Sequence, residues 1–219
     1  MHINNKTFVH KPITFDGQLK EASSEGKRLY ETPDGVFPSV TTVVGFKKQQ
    51  FFAQWRAKNP EESVRVTSRG TKFHSVIEQY LKNEDLDYDN LHSNLKSLFS
   101  ILRPEIDKID NIIALETPLW SKTLGLAGRT DCIAEYDGKL SIIDFKASTK
   151  QKRASDIDNY FAQACAYALM FQERTGIIVD NFAILIACED GLRQVFQGKP
   201  ITHVKALKSL IKEYNNGLL

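Results

Sequence analysis

The chain has 219 residues, 42% apolar and 26% charged, enough for one full hydrophobic core with a small elaboration and the composition of a soluble globular protein. A formal net charge of +2 excludes binding to nucleic acid by bulk charge, so any such site must come from local patterning. Cys132, Cys165 and Cys188 are dispersed without a CxxC pair; this argues for a reducing compartment and buried thiols, and against zinc or an iron–sulfur cluster. No apolar run approaches the roughly 18 residues of a membrane span, and no basic, apolar leader opens the chain. A soluble intracellular protein without membrane association is the expectation.

Taken in chain order, Lys27 to Tyr30 and Gly35 to Phe37 flank Thr32-Pro33-Asp34-Gly35, a hairpin turn in which Pro presets one angle and Gly accepts the left-handed position. Ser39 can cap a short helix over Val40 to Val44, although that β-branched run equally suits a strand. Phe51, Phe52 and Trp55 predict a helix burying an aromatic edge, with base stacking as the minor reading. Pro60 is expected to end this unit. A second helix is predicted from Ser68 or Thr71 to Leu81, with His74 and Glu78 sharing one edge. Asn83 to Asn90 reads as a solvated connection, followed by a helix striped by Leu91, Leu95, Leu98, Phe99 and Leu102 and ending near Pro104.

Ile112 to Leu119 is strand-like, and Pro118 marks an edge or a bend. Trp120 to Gly128, with two glycines, reads as a connection or irregular hairpin. Arg129 to Tyr136, Asp137-Gly138 and Leu140 to Lys146 form the clearest strand-turn-strand pattern in the chain. A helix over Ile157 to Phe171 follows, then a strand from Asn181 to Cys188, a turn at Glu189-Asp190-Gly191, a strand from Leu192 to Phe196, and an amphipathic helix carrying Val204, Leu207, Leu210 and Ile211.

The chemistry concentrates in the strand-turn-strand segment. It would bring Asp131 and Asp144 together beside Lys146: two hard oxygen ligands suited to Mg²⁺ or Mn²⁺ and a cation for the attacked phosphate. Lys146 is the candidate to orient or activate water. On pattern alone His74 is a packing or solvent-facing helical histidine, and Lys150, Lys152 and Arg153 a solvated basic face.

Four pieces in order, Arg69-Gly70-Thr71-Lys72-Phe73-His74-Ser75-Val76-Ile77-Glu78, Gly128-Arg129-Thr130-Asp131, Ile143-Asp144-Phe145-Lys146 and Gln163-Ala164-Cys165-Ala166-Tyr167, resemble the PD-(D/E)xK nuclease superfamily. The similarity is greater to its RecB-type branch, the mitochondrial genome maintenance exonuclease family and phage homologues, with Pro38-Ser39-Val40-Thr41 as a further reminiscent segment. The resemblance implies an α/β, restriction-endonuclease-like core: a central mixed β-sheet flanked by helices, in one domain over residues 1–219 with 1–65 as an N-terminal elaboration. It also implies metal-dependent cleavage of DNA, often from free ends.

By the same resemblance His74 and the main-chain carbonyl of Phe145 join Asp131 and Asp144 as metal ligands. Glu78 supports His74, binds metal through water or stabilises its helix, and Glu116 either joins the site or is a structural or surface residue. Gln163 and Tyr167 contact phosphate or a terminal nucleotide, or simply pack their helix; Tyr160 is a weaker candidate of the same kind. Arg69 can clamp a phosphate, and Lys150, Lys152 and Arg153 attract the backbone.

The expected activity is a metal-dependent DNA exonuclease acting on single strands or frayed ends. A structure-selective endonuclease, RNA processing and a non-catalytic DNA-binding recombination accessory are the alternatives. No GxxxxGK[ST] motif or cysteine quartet is present, so neither ATP nor an iron–sulfur cluster is expected. The expected location is the cytoplasm, or a host cytoplasm for a phage-encoded protein; the lack of a targeting segment disfavours an organelle.

Overall fold

The computed structural model describes residues 6–14, 19–22 and 28–217. Its centre is a five-stranded mixed sheet built from β4 (Ile109–Ser121), β5 (Leu126–Tyr136), β6 (Lys139–Ser148), β7 (Asn181–Cys188) and β8 (Arg193–Gly198), in that spatial order. Only β6 and β7 run parallel. A parallel pair needs a crossover, which α5 (Asp158–Thr175) supplies.

The β5–β6 hairpin forms as its sequence dictates. Asp137 and Gly138 adopt φ of +51° and +75° between the paired residues Tyr136 and Lys139, the two-residue turn that Asp-Gly favours because both positions need positive φ. Alternation along the buried strands then divides the core. Ile142, Ile184 and Ile186 face α5 and two further helices, α1 (Val40–Val44) and α6 (Val204–Asn216). Ile143, Phe145 and Leu185 face α3 (Pro60–Leu81) and α4 (Ser93–Ile106). A sheet covered on both faces accounts for the near-continuous apolar run in β7.

A second, three-stranded antiparallel sheet, β1 (Lys20–Glu21), β2 (Leu29–Thr32) and β3 (Gly35–Pro38), stands at the N-terminal side. The hairpin lies where expected, Lys27 being outside the described residues. Asp34 in its turn accepts a hydrogen bond from Trp120 Nε1 at 2.8 Å, and Ser39 bridges to Ala127, so the small sheet is fastened to β4 and β5. Ser39 resolves the helix-or-strand ambiguity after it: its Oγ accepts from Thr42 N at 3.1 Å and caps α1.

Local details refine the sequence reading, and one expectation is reversed. The aromatic helix stops at Lys58, just before Pro60 as expected, and Pro60 also starts α3, because the first helical position needs no N–H donor; that helix then runs through Gly70, whose missing Cβ faces open space. The aromatic helix α2 (Gln49–Lys58) buries none of its residues: Phe51 is 65% and Phe52 45% exposed, resting edge-to-face on each other. Pro104 lies in the last turn of α4, which ends at Ile106, close to the expected boundary. Of the two readings of Trp120 to Gly128 the hairpin holds: Ser121 pairs with Leu126, and the turn, confined to 122–125, is fastened by Glu173, which accepts from Ser121 Oγ at 2.5 Å and Lys122 N at 2.9 Å.

Candidate active site

The β5–β6 ladder runs from Tyr136↔Lys139 as far as Cys132↔Ile143. One step further, Asp131 substitutes its side chain for the backbone, and its Oδ2 accepts from Phe145 N at 2.9 Å. The next residue of β5 and the next of β6 are thus both aspartates, with Lys146 two places along. Lys146 Nζ donates to Asp144 Oδ1 at 2.7 Å and stands 2.6 Å from Oδ2. Gln163 Nε2, from α5, also donates to Asp144 Oδ1 at 2.7 Å. Asp144 is 3% exposed, so both its partners come from the protein.

Helix α3 delivers His74 from the other side. His74 Nδ1 lies 3.5 Å from Asp131 Oδ2 and 3.9 Å from Glu116 Oε1. One ligand atom from each of His74, Glu116 and Asp131 lies within 4.8 Å of the others, so this group can hold a divalent cation. Two carboxylates and an imidazole suit Mn²⁺ and tolerate Mg²⁺. The residues fit a metal on chemical grounds too, because the site gathers Glu116, Asp131 and Asp144 around the single ammonium of Lys146.

The titration shifts express that crowding. Burial pushes the Asp144 carboxyl up, and Asp131 adds to it, while Lys146 opposes. Burial disfavours charge on Lys146, yet Asp144, Asp131 and Tyr160 outweigh it and hold the ammonium protonated. His74 likewise loses to burial but gains more from Asp131 and Glu116, and its pKa rises.

The surrounding cleft has a volume of about 550 Å³, within the range of small-ligand sites. Its floor carries Glu116, Asp131, Lys146, Gln163 and Tyr167; α3 forms one wall through Gly70, His74 and Glu78, and Arg28, Tyr30, Ser39 and Thr41 come from the N-terminal hairpin and α1. Sequence reasoning does not find the hairpin's contribution, although Pro38-Ser39-Val40-Thr41 marks the segment. It gives Gly128 no role either, yet a Cβ there would stand 2.8 Å from the Tyr167 hydroxyl.

Other sequence candidates are disposed differently. Glu78 lines the cleft but pairs with Lys82 at 2.7 Å. Phe145 buries its ring in the core, leaving its main chain for the site. Tyr160 lies under Lys146, whose Nζ is 5.2 Å from the ring centroid. Arg69 is not open to a phosphate: it is 6% exposed, with Nη1 2.8 Å from Glu189 and Nη2 donating to Ala147 O at 3.2 Å. Its partner lies 120 residues away in sequence, which is why the RGTxFH pattern misdirects it. Lys150, Lys152 and Arg153 are absent from the lining of the cleft. Ser148 Oγ donates to Lys150 O, the main chain of Lys152 donates to and accepts from the side-chain amide of Gln194, and Arg153 stands 3.7 Å from Asp156.

Residues 95–180 match the model of the PD-(D/E)XK nuclease superfamily. The chain contains a PD-(D/E)XK nuclease domain. It is 31% identical to the human protein named mitochondrial genome maintenance exonuclease 1 over 174 residues, which is 71% of this chain and 50% of the relative. The mouse protein of that name is 31% identical over 129 residues, 52% of this chain and 38% of the relative, and the Xenopus tropicalis protein 25% identical over 175 residues, 72% and 50%. The chain spans about half the length of the curated relatives it matches or less, and the similarity is consistent with the RecB-type branch. The PD-(D/E)XK fold and the His74–Glu116–Asp131 group support a metal-dependent nuclease activity. Among the described residues, no helix is long and apolar enough to cross a membrane.

One expectation is overturned. The relatives in all three species carry the word mitochondrial in their names, which runs against the cytoplasmic or phage-encoded location expected from the sequence.

Proposed function

We propose that this chain is a divalent-metal-dependent DNA exonuclease acting on single strands or frayed ends, with residues 1–219 working as one nuclease domain elaborated over 1–65. The observation that carries the reading is the convergence of His74, Glu116 and Asp131 beside the Asp144–Lys146 pair in one cleft. The relatives' shared name extends the proposal to exonuclease action in the maintenance of an organellar genome.

A bound Mg²⁺ or Mn²⁺ would supply Lewis acidity at the scissile phosphate and a more acidic water. His74, Glu116 and Asp131 would hold it, with Asp144 and the Phe145 carbonyl as further oxygen donors. Lys146 counters charge on the attacked phosphate and orients water, and Tyr160 keeps its ammonium over the aromatic face. Gln163 fixes the Asp144 carboxylate from behind. Tyr167 borders the path of the strand, as do Arg28 and Tyr30. A cleft of about 550 Å³ has room for a few nucleotides of a splayed strand, which favours a single-stranded end over an intact duplex.

The test compares linear and circular single-stranded DNA of one sequence, with Mg²⁺, Mn²⁺ or EDTA, in wild type, Asp144→Ala and Lys146→Ala. Metal-dependent loss of the linear form alone, abolished in both variants, is the expected result. Cutting of circles would replace the exonuclease with an endonuclease; tight DNA binding with no cutting would leave an accessory protein, and preferential loss of matched RNA would move the substrate class.

A further inference from the structure

Glu116 carries a main-chain φ of +46° within strand β4. For a residue with a Cβ this left-handed setting is unfavourable and persists only where its surroundings impose it. The surroundings here are irregular. The β4–β5 ladder shifts between Asp110 and Ala114, resumes through Leu115↔Cys132, and passes over Glu116 to Thr117↔Thr130. Pro118, two residues on, brings no N–H to the strand.

Across that irregularity reaches one side chain. Arg129 Nη1 donates to the Glu116 carbonyl oxygen at 2.7 Å. At a left-handed residue the directions of C=O and Cβ are coupled, so fixing the carbonyl on the Arg129 side also fixes where the side chain leaves the strand. The Glu116 carboxylate leaves toward His74, Oε1 lying 3.9 Å from Nδ1, and joins the group with Asp131. The geometry points to Arg129 as a positioning residue that acts through the Glu116 carbonyl to keep the Glu116 carboxylate in the metal-holding set. This rests on the proposed reading of His74, Glu116 and Asp131 as that set. The rival use of Arg129 is direct contact with DNA, since it is exposed and borders the cleft.

Mn²⁺ binding measured by electron paramagnetic resonance without DNA separates the two. Wild type, Arg129→Ala, Arg129→Lys, Glu116→Gln and the double variant Arg129→Ala/Glu116→Gln are compared. Loss of a group that orients a ligand weakens metal binding by roughly tenfold or more, so Arg129→Ala is expected to lose about tenfold in affinity. Arg129→Lys should recover part of it through one remaining donor, and the double variant should bind no more weakly than Glu116→Gln. Unchanged Mn²⁺ affinity in Arg129→Ala, with only the KM for DNA raised, overturns the inference, as do losses that add in full or a Glu116→Gln variant that binds Mn²⁺ like wild type. A wild type that shows the expected Mn²⁺ pattern but cleaves no DNA leaves Arg129 in this role and removes the nuclease reading instead.

Discussion

Helix α3 carries a charged cluster on each of two edges, and they are built on opposite plans. Toward its start, Arg65 and Arg69 meet Glu62 and Glu189: Arg65 Nη1 donates to Glu189 Oε1 at 2.7 Å, Arg65 Nε donates to Glu62 at 2.7 Å, and Asn94 Nδ2 donates to Glu189 at 3.0 Å. Two cations face two anions. Toward its end, His74 meets Glu116 and Asp131, with Asp144 close by and Lys146 paired to it as the counter-charge. The first cluster is balanced and braces the helix against the turn after β7. The second is left acidic, a composition that costs stability unless a cation is added. The comparison teaches that burial alone does not mark the working site; imbalance of charge does.

Asp131→Asn should break the acidic cluster with the largest effect. Cleavage is expected to fall by roughly a thousandfold, as for loss of a group that stabilises the transition state, while the melting temperature holds or rises. The carboxamide oxygen can still accept from Phe145 N, and one repelling charge is gone. The balanced cluster should answer in the reverse sense: Glu189→Gln strands Arg69 in the interior, and denaturant unfolding should show a loss of about 3 kcal/mol with cleavage per folded molecule unchanged.

Added metal sharpens the contrast further. Mn²⁺ at a hundred times its dissociation constant should stabilise wild type by about 2.7 kcal/mol, reversed by EDTA, and should do little for Asp131→Asn. Glu189 also gives the balanced cluster a pH signature. Hydrogen bonds from Arg65, then Arg69, lower its pKa to about 2 against an ordinary value of 4.5, with burial in opposition. A depressed carboxylate contributes stability that is present above 4.5 and lost as pH falls toward 2. Across that window wild type should lose more stability than Glu189→Gln. The smallest effect belongs to Phe51→Ser, on the exposed face of α2, where a change within about 0.5 kcal/mol is expected.

How much of the molecule is legible in its sequence follows the range of the forces involved. The Asp137-Gly138 hairpin is local: two residues choose the turn, alternation sets the faces, and the meeting of Asp131 with Asp144 follows from counting back along two strands. The helical stripe of α4 and the buried β7 are local in the same sense. The mixed sheet flanked by helices is legible by resemblance. Glu116 stays undecided in sequence because its place depends on a register shift around residues 110–114 and on an Arg129 contact across the hairpin. Arg69 misleads because Glu189 is remote in the chain, and Phe51 and Phe52 mislead because an aromatic pair two residues wide does not say whether anything covers it.

Gly128 sets a distance. With no Cβ, it lets the hydroxyl of Tyr167 come within 2.8 Å of where that atom would be. One turn earlier on the same helix, Gln163 reaches Asp144 at 2.7 Å. A methyl group at position 128 would meet the end of the Tyr167 ring, so the Tyr167 side chain would have to shift from its place in the cleft. The glycine offers no chemistry of its own, yet it makes the room in which the Tyr167 hydroxyl stands at the cleft.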